Sequence, residues 1–262
     1  MTETVVRPKS LNRPVRFFVK ETGKKVMRWI AGFQARMSRV PDAPFLDAGL
    51  FPHLKPFETD WERIRDELSE IMKHPDAIPG FEEVSPDQYK IARDRKWRTF
   101  ILYGFGDRLE TNCERAPHTA ALLSRVPNIR TAWFSILAPG YHIPAHTGVT
   151  KGILRAHLGL VIPERRELCR IRVGEQVRSW KAGEVIVLDD TYDHEVWNET
   201  DEERVVLLFD FDRPMRWPGR ALNAALMHLI KLTAFYREPK RNLEALEAAA
   251  RRADATLERL GE

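Results

Sequence analysis

Beyond Arg130 the chain falls into short, closely spaced runs that suit strands and leave no room for helices between them. Residues 131–137 end at the turn pair Pro139-Gly140, and residues 155–162 follow. Residues 167–173 and 176–180 flank Gly174-Glu175 as a hairpin, and residues 185–188, 194–197 and 204–211 complete the series. Parallel strands need crossover connections of a dozen or more residues, commonly helical. The spacing therefore predicts a mainly β fold, a jelly-roll-like sandwich or barrel, rather than a parallel α/β sheet.

Helical patterning is confined to the flanks. Val26, Ile30, Phe33 and Met37 recur at helix spacing in residues 16–37, with Lys20, Lys24, Lys25 and Arg28 among them. Such a helix can pack on the body or lie against anionic lipid headgroups. Proline-rich residues 40–55 read as an extended linker. Trp61, Ile64, Leu68 and Ile71 then mark a helix over 61–72, with Thr59 as its cap and Glu62 in the reciprocal position. A strand at 97–103 and a short helix at 117–125 precede the strand region; helices at 219–237 and 243–260 follow it. The organisation expected is a basic arm and helix at 1–50, a body at 51–214 and a helical extension at 215–262.

Charge follows the same division. Residues 1–40 hold ten Lys or Arg against two acids, residues 41–212 hold 22 against 30, and residues 213–241 return to +6. Basic flanks on an acidic centre can steer a protein to an anionic membrane, though they are also ordinary solvated surface. No zinc finger, basic zipper or aromatic RNA-binding signature is present, so no nucleic-acid partner is expected. Cys113 and Cys169 offer no disulfide framework, residues 1–16 lack the apolar segment of a signal peptide, and residues 221–236 are too short to span a membrane. The expected setting is cytoplasmic, with peripheral contact at the cytoplasmic face of the inner membrane.

Four histidines, His142, His146, His157 and His194, lie in the strand region. His146 stands in the turn-prone run 144–148 beyond a strand end, and His194 lies beside a strand. Imidazole suits a borderline divalent metal such as iron. The usual non-haem iron triad adds a carboxylate two residues beyond its first histidine, but Gly148 occupies that position. Arg155 and His157, two apart, share one face of a strand. With Ser135 and Arg204 they could hold a dianion, since a guanidinium can grip a carboxylate with two bonds. Pairing of the two arginines with nearby Asp or Glu is the plainer alternative.

Phe134-Ser135, Pro139-Gly140, His146-Thr147-Gly148, the run from Arg155 to Leu160, the run from His194 to Asn198, and Arg204 ten residues past His194 together resemble the aspartyl/asparaginyl β-hydroxylase family. The resemblance extends over roughly 51–214. It implies a double-stranded β-helix (jelly roll) and a dioxygenase using Fe(II), 2-oxoglutarate and O2. It implies His146 and His194 as the iron ligands, with no protein carboxylate, and so accommodates Gly148. Arg204 and Ser135 match the residues that hold the distal carboxylate of 2-oxoglutarate, and Arg155 and His157 match those near its metal-bound end; His142 takes no role.

The family divides by substrate. Some members hydroxylate Asp or Asn of proteins, and others resemble bacterial hydroxylases of lipid A or ornithine-lipid acyl chains. The basic flanks and the amphipathic extension after Pro214 favour C2 of a membrane-lipid acyl chain. Protein or peptide Asp/Asn, a small molecule, and a metal-free binding module on the same fold are the alternatives.

Overall fold

The computed structural model describes residues 13–85, 91–104, 106–231 and 241–242. Helix α1 (Arg13–Met37) leads into strand β1 (Phe45–Leu46) and two single-turn helical segments. Helices α2 (Lys55–Thr59), α3 (Trp61–Ile71) and α4 (Phe81–Val84) come next, then β2 (Trp97–Gly104), β3 (Asp107–Arg108), α5 (Glu110–Arg115) and α6 (Pro117–Leu123). The strand region holds β4 (Ile129–Leu137), β5 (Tyr141–His146), β6 (Ile153–Val161), β7 (Cys169–Val173), β8 (Gln176–Ser179), β9 (Val185–Leu188), β10 (His194–Asn198) and β11 (Arg204–Asp212). Helix α7 (Trp217–Lys231) closes the described fold.

The strands form two antiparallel sheets, seven-stranded in the order β1-β9-β6-β11-β4-β2-β3 and four-stranded in the order β5-β10-β7-β8. From β4 onward consecutive strands exchange sheets, except within the β7–β8 hairpin, which is the connectivity of a jelly roll. Side-chain parity then sorts each strand of the larger sheet. On β11, Val205, Leu207, Phe209 and Phe211 join a core with Ile64, Leu68 and Ile71 of α3 and with Leu122 and Leu123 of α6. Val206 and Leu208 join the second core, with Ile143, Ile171, Val173 and Val196 of the smaller sheet. Leu154, Ala156 and Leu158 of β6 and Ala132, Phe134 and Ile136 of β4 face the helices. Ser135, Arg155, His157 and Arg204 therefore all take the parity that faces the smaller sheet. Burying each Leu, Ile, Val or Phe contributes roughly 1.5–3 kcal/mol, so this alternation is what holds the polar set in place.

Several local expectations need correction. Residues 40–55 are not a plain linker: Phe45–Leu46 pairs with β9, and Phe51 and Leu54 are buried. Thr59 does not cap α3. It ends α2, where its hydroxyl donates to the Lys55 carbonyl (3.1 Å), and Asp60 takes the cap position without a side-chain bond. Strand β5 was hidden by Pro144, which an edge strand tolerates because one row of its N–H groups needs no partner. The helix expected at 219–237 begins at Trp217 and is described to Lys231, and the one expected at 243–260 lies outside the described residues.

Candidate active site

His194 opens β10 and lies opposite His146, the last residue of β5. Opposite Val196 is Ile143, so three steps on β5 match two on β10. That bulge at Pro144-Ala145 reverses the parity of β5 and turns His146 to the inner face, as bulges near functional sites commonly do. The two imidazole centroids stand 4.1 Å apart.

Their hydrogen bonds decide the tautomers. His146 Nδ1 lies 2.8 Å from the Pro144 carbonyl and His194 Nδ1 lies 3.0 Å from the Tyr192 carbonyl. A carbonyl only accepts, so each Nδ1 carries the proton and each Nε2 keeps a lone pair, the state a metal requires. Burial pushes both rings toward neutrality. His194 is lowered to about 3 by burial, its neighbour His146 and Arg155, and His146 is lowered chiefly by burial. Among the described residues no group of three or more His, Cys, Asp or Glu side chains is arranged to hold a metal, so the imidazoles stand as a pair. Asp190 packs against the chain just after His146: a Cβ on Gly148 would collide with its carboxylate. Burial raises Asp190 to about 6 against the pull of Arg155.

A second cluster lies further along the inner face. Arg204 and Ser135 are both buried, and Arg204 Nη1 reaches Ser135 Oγ and carbonyl oxygen at 3.4 Å. The Arg204 guanidinium packs over the Trp180 ring at 4.8 Å, and its Nε is buried without a hydrogen-bond partner. Among the described residues it forms no ion pair with an acid, and burial lowers it to about 10. Ser135 Oγ already accepts from Trp97 Nε1 at 2.9 Å, leaving its own hydrogen available. The Trp180 indole, a donor only, gives its hydrogen to His157 Nδ1 at 3.3 Å. The proton of His157 must then sit on Nε2, which is buried and unpartnered. Burial, Arg155, Arg204 and His194 together hold His157 neutral. A buried cation without an acid and an N–H without an acceptor are costly unless an anion completes them. The set therefore suits a carboxylate-bearing ligand, and the paired Nε2 lone pairs suit a divalent metal; Ser135, His157 and Arg204 are not in the lining of the cavity that reaches the imidazoles.

Arg155 stands apart. It reaches the same face, but Asp210 holds its Nε and Nη2 at 2.7 and 2.9 Å, and Asp190 lies 3.4 Å away. The plainer alternative for this arginine is what the structure shows, whereas Arg204 has no such acid. His142 lies on the outer face, stacked on Trp197 and bound to Glu195 at 3.1 Å.

Three further residues shape the site without having been singled out. Asn198 brings its amide within 3.2 Å of the Leu137, Ala138 and Glu202 carbonyls, pinning the turn that delivers Arg204. Trp180 orients both His157 and Arg204, and the chain after it can pass close to β6 because Gly159 has no Cβ, which would strike the Lys181 carbonyl. Asp190 follows Asp189 at the end of β9; a pair of acids at a strand end was the only signal for it.

A cavity of about 280 Å³ opens onto His146 and His194. Phe81, Val84, Ile91, Trp97, Ile101 and Trp133 supply an apolar wall, and Met227 and Ile230 of α7 join the lining.

Residues 58–214 match the family model for aspartyl/asparaginyl beta-hydroxylase. The chain belongs to that family of hydroxylases. An ornithine lipid ester-linked acyl 2-hydroxylase of Rhizobium tropici is 38% identical over 232 residues, which is 88% of this chain and 80% of that protein. The human aspartyl/asparaginyl beta-hydroxylase is 34% identical over 66% of this chain but only 22% of its own length. Among solved structures, a 2OG-Fe(II) oxygenase family oxidoreductase from Burkholderia pseudomallei overlaps 45% of this chain and 66% of its own at a TM-score of 0.37 and 15% identity, too slight a likeness to argue from.

Proposed function

We propose that this protein is an Fe(II)- and 2-oxoglutarate-dependent dioxygenase that hydroxylates C2 of a membrane-lipid fatty acyl chain, of the ornithine-lipid or lipid A kind. The observation that carries the substrate is the cavity: Phe81, Val84, Ile91, Trp97, Ile101 and Trp133 give it an extensive apolar wall, with Thr147, Thr150 and Asp190 as polar neighbours of the two imidazoles. An Asp or Asn side chain would call for a cation or donor there. Of the three cations in the lining, two are already neutralised, Arg155 by Asp210 and Arg130 by Asp212 at 2.7 and 2.8 Å, and the third, Lys231, stands at the far end of α7. An acyl chain asks only for apolar contact and the exclusion of water. The Rhizobium relative, named as an acyl 2-hydroxylase, supports the same reading.

His146 and His194 would hold iron through Nε2, and Asp190, which lies against Gly148, would supply a hydrogen-bond acceptor near them. Arg204 and Ser135 would bind the distal carboxylate of 2-oxoglutarate, and His157 Nε2–H would donate to the cosubstrate. When bound, iron, 2-oxoglutarate and O2 supply oxidising power, the cosubstrate ending as succinate and CO2 while one oxygen atom enters the C–H bond. The protein's own work is positional: the apolar wall lays the chain beside the imidazoles and keeps the pocket dry.

The test joins two measurements. Purified protein should release succinate only with Fe(II), 2-oxoglutarate and an acyl lipid, and cells expressing it should contain acyl chains heavier by one oxygen. Turnover of an Asp-containing peptide with lipids unchanged would reverse the substrate; no Fe(II)-dependent succinate with any substrate would favour a metal-free binding module.

A further inference from the structure

Helices α1 and α7 cross on the flank of the sandwich that carries the cavity lining of α7. Gln34 Nε2 donates to Asn223 Oδ1 at 3.2 Å, and both residues are buried between the helices. Their outward faces share an unusual composition. Along α1, Lys25, Trp29, Gly32 and Arg36 are exposed and fall on one stripe, with Val26 and Arg28 beside it. Along α7, Trp217, Ala221, Ala224 and His228 form the matching stripe, flanked by Arg220 and Leu229. Trp29 is 65% exposed and Trp217 73%, whereas most of the other tryptophans of the described fold are buried.

The charge is one-sided as well. Residues 25–39 and 216–231 carry seven Lys or Arg and no Asp or Glu. Among the described residues, Lys25, Arg28, Arg36, Arg39, Arg216 and Arg220 form no ion pair, while Arg98, Arg130, Arg155, Arg172 and Arg213 of the body are each paired with an acid. Unpaired cations beside exposed tryptophan are the combination that an anionic bilayer surface satisfies: the headgroup phosphates take the charge, and the indoles settle at the interface. A soluble polyanion would leave the two tryptophans uncovered. No helix among the described residues is long and apolar enough to cross a membrane.

We propose that the outer faces of α1 and α7 form a single docking surface for an anionic phospholipid bilayer. Met227 and Ile230 place α7 in the cavity lining, so docking there sets the cavity against the leaflet and gives an acyl chain a short, dry path to the histidine pair. This rests on the acyl-lipid reading for its purpose, but its test does not.

The full-length protein should sediment with vesicles of phosphatidylcholine and phosphatidylglycerol in equal parts and not with phosphatidylcholine alone, and salt should release it. Reversing three exposed charges together (Arg28→Glu, Arg36→Glu, Arg220→Glu) should weaken vesicle binding by about 100-fold or more, since each cation near an anionic surface contributes a factor of about five. Trp29→Ser with Trp217→Ser should weaken it too, and tryptophan emission of the parent should shift to the blue on binding. The reversal variant should keep the parent's circular dichroism spectrum and melting temperature, which shows that it is folded, and hydroxylation of ornithine lipid dispersed in detergent micelles should survive the charge reversals. Equal binding to both kinds of vesicle, parent-like binding by the reversal variant, or a dimer that buries Trp29 and Trp217 would overturn the proposal. Parent-level vesicle binding with no lipid hydroxylated in any form would support the docking surface while removing the acyl substrate.

Discussion

On the four-stranded sheet, His146 and His194 are completed by their own strands, each Nδ1 bonded to a carbonyl two residues back. On the seven-stranded sheet, Arg204 and His157 are incomplete: one nitrogen of each is buried with nothing to bond. The first half is set by the main chain and needs no ligand to hold its shape. The second is held by the packing of Trp180 and Trp97 around donors whose acceptor must come from outside. A metal should therefore meet a ready pair of lone pairs, while a carboxylate ligand should add stability by ending an existing penalty.

Three measurements can break or sharpen that contrast. The largest effect belongs to the first half. His146→Ala or His194→Ala should lower Fe(II)-dependent succinate release by at least about 100-fold, because disturbing even the groups behind metal ligands commonly costs 10–100-fold. The metal-free protein should melt nearly where the parent does. Near-normal turnover in either variant would remove the imidazole pair from the chemistry.

In the second half, Arg204→Met should raise the 2-oxoglutarate KM by about 10- to 100-fold, the equivalent of losing roughly 1.5–3 kcal/mol of charged hydrogen bonding. Because the arginine has no acid partner to orphan, the ligand-free variant should keep its melting temperature while losing the upward shift that 2-oxoglutarate gives the parent. A parent-like thermal response to the cosubstrate would place the carboxylate somewhere else.

The smallest effect is a pH slope. His146, His157 and His194 are all lowered by burial, whereas in the unfolded chain each titrates near about 6.5. Below that value the unfolded chain takes up protons that the native chain refuses. The stability these rings contribute is thus complete above about pH 6.5 and is lost as pH falls toward their folded values. Asp190, raised to about 6, offsets part of the loss between about pH 4 and 6. Urea unfolding of the metal-free protein between pH 7.5 and 6 should show the slope, and His194→Ala should reduce it by up to about 1.4 kcal/mol per pH unit. An unchanged slope would mean that this ring is solvated.

Much of this was legible in the residues alone, and the reason is periodic order. Short, closely spaced runs such as residues 204–211 and 155–162 predicted strands, and the two-residue period of a strand put Arg155 and His157 on one face. The ordered motifs from Phe134 to Arg204 marked the family. What alternation could not show was anything that depends on two strands at once. Pro144 concealed β5, and the bulge that turns His146 inward exists only in register with β10. The partner of Arg155, the orphaned nitrogen of Arg204, the tautomer of His157 set by Trp180, and the meeting of α1 with α7 through Gln34 and Asn223 all join residues distant in the chain. Local pattern decides which face a side chain takes; only the packed fold decides what it finds there, because that is where water is removed and a missing partner begins to cost energy.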